Sequence, residues 1–189
     1  MTNNIDYSKQ IGKMVASNEF ERLLGKNANS KIMKYSELDS VNDLNDLLSE
    51  PQDYRIILIE TKQNTGHWTC ISKNNTNIVW FDSYGLAPDQ EFEFIPVKMQ
   101  QILDEGGKPL TKLLTKFKSN SKGKWTYNTM KFQQLKEGIN TCGRWVTLYL
   151  TSFLHGLSLK EFQNVMVMEK QKTGLTYDEI VCECTKALD

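Results

Sequence analysis

Histidine is scarce in this chain: His67 and His155 are its 2 histidines in 189 residues. Any chemistry that needs an imidazole base must use one of them. A net charge is also missing, because 23 Lys+Arg offset 23 Asp+Glu. That removes a global electrostatic bias toward nucleic acid or a membrane surface. No apolar run approaches the roughly 18–20 residues of a membrane-spanning helix. The first six residues are polar and lack the apolar core of a signal peptide. Cysteine is limited to 4 residues, Cys70, Cys142, Cys182 and Cys184. That is too few for a disulfide framework at this length, and with no signal it points to a reducing compartment. Cys182 and Cys184 lack the spacing and partners of a zinc site. They predict instead a last helix that buries one thiol, with Ile180, Val181, Cys184 and Leu188 on its inner side. No metal site is expected. Repeats, low-complexity tracts and linkers are absent too, which predicts a single domain.

Helical spacing of Ile11, Met14, Val15, Leu23 and Leu24 predicts a first helix over 8–24, stopped at Gly25. Residues 26–31 form a polar loop. Ser40 caps a short helix through Leu48, which Pro51 cannot continue. The pattern then changes. Residues 55–60 are a continuous apolar run, suited to a strand covered on both faces. Residues 67–72 and 78–83 predict two further strands with short links, hence an antiparallel or mixed sheet. Residues 90–95 alternate acids and aromatics. Helical stretches follow near 99–104 and 110–117, then an extended stretch over 124–133. Ser158 with Glu161, and Thr176 with Glu179, have the offset of capping boxes before two last helices. Lys108, Lys112, Lys116, Lys118, Lys122 and Lys124 lie in an acid-free stretch. They form a solvated helix face or an anion-binding patch for nucleic acid.

Between the extended stretch and the apolar run 145–154 lies Thr141-Cys142-Gly143-Arg144-Trp145. A cysteine at a loop-to-helix junction sits where unsatisfied backbone N–H groups and the helix dipole favour an anion. A thiol there ionises more easily, and the thiolate is the nucleophile. His155 is about 20 Å along the same helix at roughly 1.5 Å per residue, too far to be its base. His67 is therefore the candidate base. Asp82, at the end of the neighbouring strand, is brought beside it by a hairpin, and a carboxylate there fixes the tautomer and steadies the imidazolium. Gly143 leaves a backbone N–H open to an oxyanion, and Gln133 or Gln134 can add a side-chain amide.

The order Gly66-His67-Trp68, Trp80-Phe81-Asp82-Ser83, Gln133-Gln134-Leu135 and Thr141-Cys142-Gly143-Arg144-Trp145 resembles the adenovirus-proteinase and SUMO-protease superfamily of cysteine peptidases. Within it, chain length and Tyr127-Asn128 look like the capsid maturation proteases of virophages such as Mavirus, polintons and related large DNA viruses. The likeness runs over 56–154. It implies an α+β fold of papain type, with a central mixed or antiparallel sheet flanked by helices and the nucleophile at the N-terminus of a buried helix. N-terminal helices would fill 1–50, a catalytic core 54–154 and C-terminal helices 158–189. It implies Cys142 as nucleophile, His67 as base, Asp82 as orienter and Gln134 as oxyanion donor, since Leu135 follows Gln134. The spacing from Gln134 to Cys142 is longer than usual in the family, so either the loop 135–141 bulges or Gln133 is the donor. Trp68 and Trp145 are candidates for the aromatic wall of a substrate tunnel. Capsid precursors would be the substrates, in the virion and in host cytoplasm during assembly. A nucleic-acid or peptide activator is compatible with the likeness, and no membrane is involved. Two other readings remain: an isopeptidase acting on ubiquitin-like conjugates, and a non-enzymatic module binding nucleic acid or an acidic partner.

Overall fold

A computed structural model describes residues 6–103, 107–120 and 123–189. Helices α1 (Ser8–Gly12) and α2 (Glu21–Leu24) precede strand β1 (Ile32–Lys34). Helix α3 (Leu44–Leu47) leads to the long strands β2 (Gln52–Lys62) and β3 (Thr65–Asn74) and the shorter β4 (Asn77–Phe81). Then come α4 (Val97–Ile102), α5 (Pro109–Asn120), β5 (Lys124–Tyr127), α6 (Cys142–Leu154), α7 (Leu159–Thr173) and α8 (Tyr177–Cys184). The fold is α+β. Its five strands lie in the order β1-β2-β3-β4-β5. The three central strands are antiparallel, and the two outer ones pair parallel to β2 and β4.

The sheet separates two cores. Because side chains alternate along a strand, Ile56 and Leu58 face one core while Ile57 and Ile59 face the other. The apolar run predicted for a doubly covered strand is thus covered on both faces. The first core is built on α6, which buries Trp145, Val146, Tyr149, Leu150 and Phe153. A helix buried on nearly all sides is expected of a central element. Helices α7 and α8 pack behind it, and both begin with the predicted capping boxes. The second core is closed by α3, α5 and the 3-10 turns Tyr35–Ser40 and Gln90–Phe94.

Three expectations are corrected. The predicted helix over 8–24 is broken, since the chain runs extended at Lys13 and Ala16 between α1 and α2. Trp68 Nε1 donates to the Val15 carbonyl at 2.9 Å, which draws that carbonyl out of any helical ladder. The helix predicted from Ser40 is instead a 3-10 turn ending at Ser40, followed by α3, capped by Asp43. The extended stretch predicted over 124–133 stops at Tyr127. There the Asn128 side chain takes over the pairing, donating to the carbonyls of Asp82 and Met130 at 2.6 and 2.8 Å. Strand β1 follows the polar stretch 26–31 and has no clear signal of its own in the sequence.

Lys108, Lys112, Lys116, Lys118 and Lys124 are exposed on and around α5, and Lys122 lies outside the described residues. Lys116 donates to the Asn42 carbonyl at 2.7 Å. The last helix buries one thiol, but it is Cys182; Cys184, expected on the buried side, is exposed, because the face carrying Val181 and Cys182 is the one turned to the core.

Candidate active site

His67 and Asp82 are brought together by register. The β3–β4 ladder pairs Cys70 with Phe81, so one step further Thr69 would face Asp82 and His67 lies diagonal to it. Diagonal neighbours in an antiparallel pair are within reach of long side chains. His67 Nε2 lies 3.2 Å from Asp82 Oδ1, and both side chains are buried. Asp82 is held in turn by the Tyr84 backbone N–H, which donates to Oδ1 at 2.6 Å. The Tyr84 ring stacks on the imidazole with centroids 4.4 Å apart. The residue after His67 points to the opposite face. Trp68 therefore packs edge-on against Phe20, on the first core.

Cys142 is the first residue of α6 and is buried. His67 and the backbone N–H groups of Trp68 and Gly143 are the groups that act on its thiol. With Nε2 occupied by carboxylate, Nδ1 is the ring nitrogen left for sulfur. Burial pushes the thiol up, but the His67 hydrogen bond and charge, with the two N–H donors, bring it below the ordinary thiol value. For His67, burial disfavours the charged ring, yet Glu91, Asp82 and the thiol hold its pKa well above the usual imidazole value. A thiol shifted down beside an imidazole shifted up favours transfer of the thiol proton to the ring.

Glu91 has no counterpart in the sequence reading. It comes from the 3-10 turn Gln90–Phe94, is buried, and places Oε1 at 3.1 Å from the same His67 Nε2. The alternating acids and aromatics of 90–95 were visible, but nothing in their spacing pointed at His67. His67, Asp82 and Glu91 have potential ligand atoms all within 4.8 Å of one another. Their spacing is that of a hydrogen-bonded chain.

The two glutamines occupy different environments. Gln133 is buried; its Oε1 accepts from Ser83 Oγ at 2.9 Å and its Nε2 donates to the Ile139 carbonyl at 3.1 Å. The Ser83 bond fixes the amide's orientation, leaving the second N–H of Nε2 for the cavity beside Cys142. Gln134 is exposed, and its backbone N–H engages Asp178. The loop between them and Cys142 bulges, with Leu135 74% exposed and Gly138 at φ 83°. Asp178 on α8 ties the two ends together, accepting from Gln134 N at 3.2 Å and from Thr141 Oγ1 at 2.6 Å. Thr141 thus spends its hydroxyl on Asp178 instead of capping α6.

Gly143 has a packing reason as well as an N–H. A Cβ there would come within 2.6 Å of Val15 Cβ and 3.2 Å of Trp68 Cδ1. The segment carrying Val15 is strapped over the site, its Ile11 and Gly12 carbonyls accepting from Asn140 N and Nδ2 at 2.8 and 2.9 Å. Cavities of about 610 and 590 Å³ meet at Cys142. Val15, Leu58 and Trp68 line the first. His67, Tyr84, Glu91, Gln133, Gln134 and Leu135 line the second. Gly66 and Asn140 line both. Trp145 corrects its expectation: it is fully buried, stacked on Phe132 at 4.7 Å, and lines neither cavity. Its position one turn into α6, on the core side, explains that. His155 sits exposed at the far end of α6, bonded to the Thr151 carbonyl.

Fold and site together define an α+β protein with a thiol–imidazole–carboxylate chain at the N-terminus of its central helix. No family model matches the sequence. The chain is 33% identical over 172 residues to the uncharacterized protein V9 of Sputnik virophage, covering 90% of this chain and 94% of V9. It belongs to the same family as V9. Among solved structures, the ASFV pS273R protease superposes with a TM-score of 0.46 and 13% identity, over 84% of this chain and 69% of that one. That likeness is too remote to bear on the chemistry.

Proposed function

We propose that this protein is a cysteine endopeptidase that cleaves virion precursor proteins of a virophage. The observation that carries the reading is the pairing of Cys142 with a buried His67 that is itself held by Asp82, between two cavities open on either side of the sulfur. A groove continuing on both sides of a nucleophile suits a chain cut in its interior. The thiolate of Cys142 attacks the scissile carbonyl carbon, and the carbonyl electrons move onto oxygen. Gln133 Nε2 and the backbone N–H groups at the start of α6 stabilise that oxyanion. His67 lies on the second cavity's side and gives its proton to the departing amine there. The amine leaves, a thioester remains, and neutral His67 takes a proton from the water that hydrolyses it. Asp82 steadies the imidazolium throughout. Kinship with V9 supports a virophage setting. The virion and the host cytoplasm during assembly are the proposed places of action, and the exposed lysines of 108–124 are a candidate contact for a nucleic-acid activator.

Co-expression of the protein with the structural proteins of its virus tests the reading. Wild type is expected to yield defined cleavage products, and Cys142→Ala to yield none, a loss of at least about 1,000-fold. Cleavage that persists in Cys142→Ala contradicts the assignment. Cleavage restricted to ubiquitin-like conjugates replaces the endopeptidase with an isopeptidase.

A further inference from the structure

The part of the site that the three-residue chain leaves unexplained is the second carboxyl. One nitrogen, His67 Nε2, faces two buried acids at 3.2 and 3.1 Å. It carries a single hydrogen and can satisfy one of them well. Two buried carboxyl oxygens, Asp82 Oδ2 and Glu91 Oε1, are without a hydrogen-bond partner. Atoms of His67, Asp82 and Glu91 all lie within 4.8 Å of one another, so the two carboxyls are also close to each other. Two ionised carboxylates this close, away from water, would repel, and one proton placed between them removes the conflict.

The groups around the pair leave no other source of compensation. His67 faces it from β3, Tyr84 from the turn after β4, and Cys142 from α6. Cys70 feels Asp82 from within β3. Among the described residues no lysine or arginine makes an ion pair with either acid. Among the described residues the imidazolium is the single cation beside them, and the thiolate and Asp82 already outnumber it. A further full negative charge on Glu91 would add to that excess, at a cost of several kcal/mol.

The turn that presents Glu91 is firmly built. Asp89, with φ 65°, accepts from the Tyr35 hydroxyl and from Thr111 N at the start of α5. Gln100 Nε2 donates to the carbonyls of Phe92 and Ile95 at 2.8 and 2.7 Å. Glu91 is thereby delivered to His67 by bonds that do not involve it.

We propose that Glu91 is a positioning residue that extends the Cys142–His67–Asp82 chain: a neutral carboxylic acid that donates its proton to Asp82 and so holds Asp82 ionised and aimed at His67. Glu91 acts through Asp82, not on the substrate. The inference rests on the thiolate–imidazolium reading of the site and deepens it. Direction of titration agrees for the two acids, and with Glu91 neutral the carboxylate that holds His67 up is Asp82. Burial and Asp82 push Glu91 well above the usual carboxylate range, while Asp82 stays below its ordinary value despite burial, because Glu91 and His67 bond it.

The test compares wild type with Glu91→Leu, which fills the space without a donor, and Glu91→Gln, whose amide N–H₂ can replace the acid proton. Two readouts avoid any need for a substrate. The first is the rate of Cys142 alkylation by iodoacetamide against pH. Glu91→Leu is expected to lose roughly 10- to 100-fold at neutral pH, the value of a hydrogen bond to a charged group. Glu91→Gln is expected to recover most of that loss. The second is the infrared difference spectrum between wild type and Glu91→Gln at neutral pH, where a protonated carboxyl C=O band should be lost with Glu91. A carboxylate band in its place overturns the proposal. So does a Glu91→Leu protein that is folded by circular dichroism and alkylates as fast as wild type. If instead wild-type Cys142 alkylates no faster than Cys184, the thiolate–imidazolium reading itself fails, and that outcome is separate from the Glu91 result.

Discussion

His67 and Asp82 come from a hairpin whose ladder runs unbroken from Asn74↔Asn77 to Cys70↔Phe81. Gln133 and Cys142 come from the two ends of a loop with no ladder, held by side chains distant in sequence: Ser83 on Gln133, and Asp178 on Gln134 and Thr141. The first half of the site is positioned by backbone periodicity and the second by individual hydrogen bonds. Damage to the two should differ in kind. A ladder distributes its constraint over many bonds, so a hairpin side chain can be changed with its geometry intact. A loop held by one carboxylate loses both its ends together.

The largest expected effect is on the hairpin side. Asp82→Asn should keep its place but lose its charge, lowering kcat/KM by about 1,000-fold or more with little change in stability. Equal activity in the variant would show that the hairpin supplies shape alone. On the loop side, Gln133→Ala should lower kcat by about 100-fold, as loss of an oxyanion donor does. Gln134→Ala should cost less than about tenfold, because Gln134 is exposed and its amide is not oriented by a bond like that of Ser83 to Gln133. Steady-state kinetics on one peptide substrate separates them, and the reverse ranking would make Gln134 the donor. The smallest effect on chemistry is expected for Asp178→Ala, about tenfold in kcat through a displaced loop. It should also lower the stability by about 1–3 kcal/mol in denaturant titration, since Thr141 and Gln134 lose a buried partner. A kcat loss without a stability loss would break the link drawn between the loop's two ends.

The same contrast explains what could be read before the structure. Short apolar runs separated by polar turns made strands β2 to β4 legible, and hairpin geometry then put Asp82 beside His67 without a coordinate. Helix geometry alone removed His155. The choice between Gln133 and Gln134 stayed open because it depends on Ser83 and Asp178, 50 and 44 residues away in sequence. Glu91 was hidden for the same reason: its turn is set by Tyr35 and Thr111 through Asp89. Trp145 misled because a tryptophan near a nucleophile carries no sign of which helix face it occupies. The broken first helix was illegible because the break comes from Trp68, not from any proline or glycine between 13 and 16.

The central claim is that Cys142 is a thiolate because His67 holds it, and the protein carries its own control in the exposed Cys184. Burial raises the Cys184 thiol, whereas His67 lowers that of Cys142. A lowered thiol pKa means that the thiolate survives as pH falls below the ordinary thiol value and is lost only on passing the lowered one. Site-resolved mass spectrometry of iodoacetamide labelling from pH 5 to 9 measures this directly. The expected result is rapid labelling of Cys142 across neutral pH, slow labelling of Cys184 that rises only in the alkaline range, and collapse of the Cys142 rate below neutral pH in His67→Ala. A Cys142 profile that follows Cys184, or one that is the same with and without His67, would contradict the account.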